Sequence, residues 1–191
     1  MADQREFKKL LKGAGRNIAQ GQNEAQKWFR DTAKNIGENK KDPSKLFATK
    51  STPQIGEMFL YVYDPKTKDK LPFWDSYPLT VIVEMYSDGF LGINLHYLPP
   101  MARAALMDSL DSVKTNDKYN ASTKIAISYK ILKAYTSRFS GFENCLKRYL
   151  FGHVRSSFHH VHPSDWSKVV MLPLQKWNIN PNKRYAGSPP Y

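Results

Sequence analysis

Residues 79–100, LTVIVEMYSDGFLGINLHYLPP, leave this chain few choices of fold. LTVIVEMY is rich in β-branched and apolar side chains, as a well-buried strand is, and Ser87-Asp88-Gly89 supplies a tight turn. FLGINLHYL then returns as the hairpin partner, with Gly92 marking a bulge or a close approach. Pro99 and Pro100 stop that strand and can open a helix, because the first helical turn does not need their missing N–H groups.

The flanking segments extend this nucleus. EMFLYVYD alternates like a third strand, and the polar turn DPKTKDK carries it into LPFWDSYP. Beyond the prolines, MARAALMDSLDSVK places Met101, Ala104, Ala105, Met107 and Leu110 on one helical face. After the polar TNDKYNAS, TKIAISYKILKAYT does the same with Ile125, Tyr129, Leu132 and Tyr135. The same spacing predicts a third helix over FENCLKRYLFGHV, through Phe142, Cys145, Leu146, Tyr149 and Leu150. VRSSFHHVH reads as a return to the sheet, PSDW as a helical turn and KVVMLPL as a last short strand.

Ahead of the body, Phe7, Leu10 and Leu11 repeat at helix spacing. A second stripe follows through Ala25, Trp28, Phe29, Thr32, Ala33 and Ile36, so two short helices joined at Ala19 to Gln22 are expected. The expected class is α+β: a small, strongly bent antiparallel sheet or SH3-like barrel with inserted helices and an N-terminal helical arm. The expected division is an arm and linker over 1–54, a compact body over 55–175 and a basic, proline-containing tail over 176–191. The arm's apolar stripe needs cover from the body or from another subunit, which makes residues 1–40 the candidate contact of a symmetric homo-oligomer.

Charge points toward a partner. The formal net charge is +12, and the last 71 residues hold 11 Lys or Arg against two Asp or Glu. Residues 1–50 carry a net +6 and residues 51–120 a net −3. Such an excess is tolerated most easily beside a polyanion or an acidic protein surface. Lys124, Lys130, Lys133, Arg138, Lys147, Arg148, Arg155, Lys168, Lys176, Lys183 and Arg184 are therefore the candidate phosphate-contacting residues. Trp166, Trp177, Phe158 and Tyr185 are the candidates for stacking on exposed bases or ends. Trp74, Asn94, His96, Tyr97, Pro99, Pro100 and Trp166 are read as structural, with Asn94 and His96 forming a polar contact beside the double proline.

Other chemistries find less support. Cys145 is a single cysteine, so it offers neither an intrachain disulfide nor a zinc cluster, and its apolar surroundings read as those of a buried thiol. His153, His159, His160 and His162 are close in sequence, but strand alternation sends His159 away from His160 and His162. Asp64, Asp69, Asp75, Glu84, Asp88 and Asp108 are the acids a metal-dependent nuclease would use; nothing in their spacing demands one, and turn and cap roles account for them. No phosphate-cradling glycine loop, nucleophile elbow or membrane-length apolar run occurs. Neither a metal nor another cofactor is expected, no membrane partner and no catalysis, with synthesis in a reducing cytoplasm.

Three phrases carry a resemblance. YVYDPKT leads to LPFWD and then to GINLHYLPP, and the later CLKRYLFGHVRSSFHHVHPSDW repeats a Lys-Arg-Tyr-Leu and Pro-Ser-Asp-Trp pattern. Over about residues 57–175 the chain thus resembles a virion protein family of contractile-tailed, T-even-like bacteriophages, associated with protection of DNA ends. The resemblance implies a virion protein that binds phage DNA or other virion proteins, with Lys147, Arg148 and Arg155 in matching regions as phosphate contacts. It implies no catalytic residues. The alternative it leaves is a neck, tail-terminator or baseplate protein working through protein contacts during head-tail assembly.

Overall fold

A computed structural model describes residues 18–38, 53–68, 70, 73–98, 100–138, 145–172 and 178–179. The first arm helix expected near Phe7, the linker, Pro99 and most of the tail lie outside the described residues. The elements, in chain order, are α1 (Ile18–Glu38), β1 (Met58–Leu60), β2 (Phe73–Trp74), β3 (Leu79–Tyr86), β4 (Gly89–Asn94), α2 (Pro100–Lys114), α3 (Ala121–Arg138), β5 (Leu146–Leu150), β6 (His159–His160), α4 (Trp166–Met171) and β7 (Asn178–Ile179). Single 3-10 turns occupy Leu95–Tyr97, Phe151–His153 and Pro163–Asp165.

The fold is α+β. The hairpin forms as expected, β3 against β4, and becomes the middle of an antiparallel sheet of order β5-β4-β3-β1-β6. That sheet is open, so the antiparallel sheet, not the closed barrel, is the form realised. Gly92 lies opposite Ile82, where the register slips between Ile82 and Glu84, and a Cβ there would come 3.2 Å from Thr80. β2 and β7 make a separate two-stranded ribbon.

Both sheet faces are covered, which explains the unbroken burial of Leu79 to Val83. On one face Met58, Leu60, Val81, Val83 and Ile93 meet Leu106, Leu110, Leu132 and Val169 from the helices. On the other, Phe59, Tyr61, Ile82, Phe90, Tyr149 and Phe158 form an aromatic layer, with Tyr61 and Phe158 centred 5.0 Å apart. Each such side chain contributes roughly 1.5–3 kcal/mol by leaving water.

Three local expectations are corrected. FENCLKRYLFGHV does not make a third helix: Leu146–Leu150 is strand β5, paired residue by residue with β4 from Ile93↔Leu146 to Gly89↔Leu150. Its apolar spacing fits either period, and the unpaired edge of β4 decides between them. KVVMLPL does not supply a strand either, because Trp166–Met171 is helix α4. The guanidinium of the fully buried Arg103 donates to the carbonyls of Val169 (3.0 Å) and Leu172 (2.9 Å) at the end of that helix and to Leu98 (3.0 Å). Finally, α1 runs unbroken through the expected joint at Ala19 to Gln22, since packing of α1 against α4 outweighs the cost of about 1 kcal/mol for Gly21. Ala25 and Ile36 bury the α1 stripe in the core of the same chain.

Candidate nucleic-acid interface

A buried polar knot closes one end of β4. Asn94 accepts from the backbone N–H of His96 (2.9 Å), and its amide donates to Asp75 (3.0 Å) and to the Tyr149 hydroxyl (3.1 Å). His96 Nδ1 lies 2.7 Å from the same Asp75 carboxylate, and Phe29 of α1 packs edge-on against the His96 ring. Burial works to raise the Asp75 carboxyl; the His96 charge and the hydrogen bonds from His96, Asn94 and Tyr77 outweigh it and hold the group below its ordinary value. Burial also pushes the Tyr149 hydroxyl well above its ordinary value. Asn94 and His96 therefore do meet, joined by Asp75 and Tyr149, which sequence spacing does not connect. This knot ties α1, the β2–β3 connection and β5 together.

The other end of the hairpin faces water. Gly89 permits it: a Cβ there would stand 2.0 Å from the Tyr149 carbonyl and 2.7 Å from Arg148 Nη1. In the space left, the Arg148 guanidinium lies over the Tyr86 ring, 4.1 Å from its centroid, donates to the Tyr149 carbonyl (3.2 Å) and pairs with Asp88. Tyr86 remains 40% exposed, the most of any large hydrophobic side chain among the described residues.

That tip continues into a second loop system. Phe151 N–H donates to the Asp88 carbonyl (2.9 Å), and the chain then bridges Val154 to Tyr63 and bonds Arg155 N–H to the Val62 carbonyl (2.8 Å). His153 is fixed by Asp64, backbone to backbone (3.0 Å) and Nδ1 to carbonyl (2.9 Å). Exposed Arg155 and Lys68 thereby come beside Asp64, whose carboxyl is held below its ordinary value by the Lys68 hydrogen bond first and by the charges of Lys68, Arg155 and His153. Both Arg148 and Arg155 act on the Tyr63 phenol, which burial otherwise raises. Lys68 thus comes to one edge with Arg148, His153 and Arg155, some eighty residues later in the chain, and Lys66 and Lys70 stand exposed on the same turn as Lys68.

The remaining candidates are distributed elsewhere. Lys147 and Arg148 are neighbours on a strand and diverge: Lys147 is half-buried over the Tyr97 ring, 5.1 Å from its centroid. Lys133 pairs with Glu84 (3.2 Å) and Lys168 with Asp165 (2.7 Å), while Lys124 donates to the Lys114 carbonyl (2.7 Å) and Lys130 is exposed on α3. Lys176, Lys183, Arg184 and the Arg138 side chain lie outside the described residues. Of the stacking candidates, Phe158 and Trp166 are buried in the core, Trp166 donating to the Val161 carbonyl (3.3 Å), and Trp177 and Tyr185 are outside the described residues. Trp74 is half-buried on β2, Tyr97 is core, and Pro100 opens α2 as expected.

Sequence reasoning passed over Lys68, Tyr86 and Arg103. The place of Tyr86 was a usable signal, since burial fades toward the last residue of β3, next to the turn.

Among the described residues, no three His, Cys, Asp or Glu side chains are grouped to hold a metal ion. Among them also, no helix is long and apolar enough to cross a membrane. Cys145 is buried, its thiol pushed up to about 11 by that burial. The open edge can bind an anion and offer a planar surface. A family model described as phage T4 terminal DNA protecting protein matches residues 4–189. No curated protein and no solved structure matches the chain.

Proposed function

Since the chain belongs to the phage T4 terminal DNA protecting protein family, we propose that it caps the ends of linear phage DNA, one stoichiometric binding protein rather than a catalyst. In this reading it is made in the host cell, is carried in the virion, and holds the duplex by phosphate contacts from Arg155 and Lys68, with Lys66 and Lys70 beside them. The family match over nearly the whole chain is the observation that carries the reading. The geometry lends support: an exposed ion pair such as Lys68–Asp64 is worth little, so a phosphate can take Lys68 from its partner.

The test compares a short linear duplex with the same sequence closed by hairpin loops at both ends, by fluorescence anisotropy across a salt series. Tighter binding of the linear form is expected. Neutralising Lys68→Gln and Arg155→Gln together should flatten the dependence of log K on log salt by about 2, roughly 0.9 for each lost phosphate contact. Equal affinity for open and closed DNA would refute end capping. Absence of DNA binding altogether would leave protein contacts within the particle as the chain's task.

A further inference from the structure

We propose that Tyr86 is the platform on which the terminal base pair of a linear duplex stacks, held flat by Arg148. The inference rests on the end-capping reading above and adds how an end is told from the middle of a duplex. An end differs chemically from the interior by an uncovered base-pair plane as well as by its terminal phosphate and hydroxyl groups, so a planar, polarisable surface set beside cations can tell the two apart. Tyr86 is exposed at the hairpin tip and joined through Asp88 and Phe151 to the edge that carries Arg155 and Lys68.

Its surroundings suit a base plane better than a phosphate. The Arg148 fork is already occupied by Asp88 and the Tyr149 carbonyl, which neutralises its charge and fixes its plane over the ring. Glu84 and Asp88 stand two residues to either side of Tyr86 and hold Lys133 and Arg148 in ion pairs, so the tip offers a phosphate little free positive charge. Approach by the end places an uncharged base pair on the ring and directs the backbone toward Arg155 and Lys68. The tip is also rigid, because Gly89 seats directly on the Tyr149 carbonyl and Phe151 bonds to Asp88, so little ordering is lost on binding.

The experiment places 2-aminopurine at the terminal or at an interior position of the linear duplex and follows its fluorescence with the full chain, Tyr86→Phe and Tyr86→Ser. The unaltered chain and Tyr86→Phe should quench the terminal probe and leave the interior probe unchanged. Tyr86→Ser should lose that quenching and bind the linear duplex about tenfold more weakly, with its salt dependence unaltered. Circular dichroism confirms that the exposed substitution leaves the fold intact. If Tyr86→Ser still quenches the terminal probe and still prefers linear DNA, the platform is wrong while end capping stands. If the unaltered chain shows no preference for linear DNA, both fall.

Discussion

Arg103 and Arg148 carry the same guanidinium into opposite surroundings. Arg103 is wholly buried on α2, where burial lowers it to about 10, and its Nη groups donate to three backbone carbonyls. Arg148 sits on an exposed strand edge against a carboxylate and the open ring of Tyr86. The first is spent on holding α2, α4 and the Leu98 corner together. The second remains at a surface where a ligand can meet what it organises. Positive charge alone therefore does not mark a binding residue in this chain; the partner that accepts its hydrogen bonds does.

That contrast can be broken most forcefully at Arg103. Arg103→Ala opens a cavity and strands carbonyls that a buried group must satisfy, and should lower unfolding free energy by about 4 kcal/mol, read from the urea midpoint. Arg148→Ala should cost less than about 1 kcal/mol in the same measurement, since its ion pair is exposed. Comparable losses would mean that both arginines are structural.

Asp75→Asn tests the knot at the far end of the hairpin, with an expected loss of about 2 kcal/mol at neutral pH from weakened charged hydrogen bonds. The sign of its pH dependence follows from the depressed carboxyl. Asp75 contributes its full stabilisation above the unfolded value of about 3.9, and loses it as pH falls through the lower folded value. Thermal melts of the unaltered chain should therefore drop on acidification below about pH 4, and Asp75→Asn should flatten that drop. Lys168→Ala should be the mildest change. Its pair with Asp165 is partly exposed and one helical turn long, so a shift of under about 0.5 kcal/mol is expected, and a larger one would place Lys168 with Arg103.

Local pattern was legible where it and the tertiary fold agree. The β3–β4 hairpin and the helix opened by Pro100 follow from turn chemistry and proline geometry, and the burial of Cys145 from its apolar neighbours. The segments misread were those whose apolar residues satisfy two periods. Leu146 to Leu150 could serve a helix or a strand until β4 offered an edge, and Val169 and Val170 favour a strand until Arg103 receives the helix's last carbonyls. Of the candidate site, Arg148 and Arg155 were legible among the cations late in the chain, whereas Lys68 and Tyr86 were not.

From the residues alone came the fold class, the hairpin at its centre, the basic balance and the family phrases, because each depends on neighbours in sequence or on totals. Tertiary structure alone decided which cations share an edge and which aromatic ring stays exposed. Arg148 reaches Tyr86, and Arg155 comes beside Asp64, only after β5 pairs with β4 and the Tyr63–Val154 bridge closes, and no local interaction encodes a contact between segments so far apart.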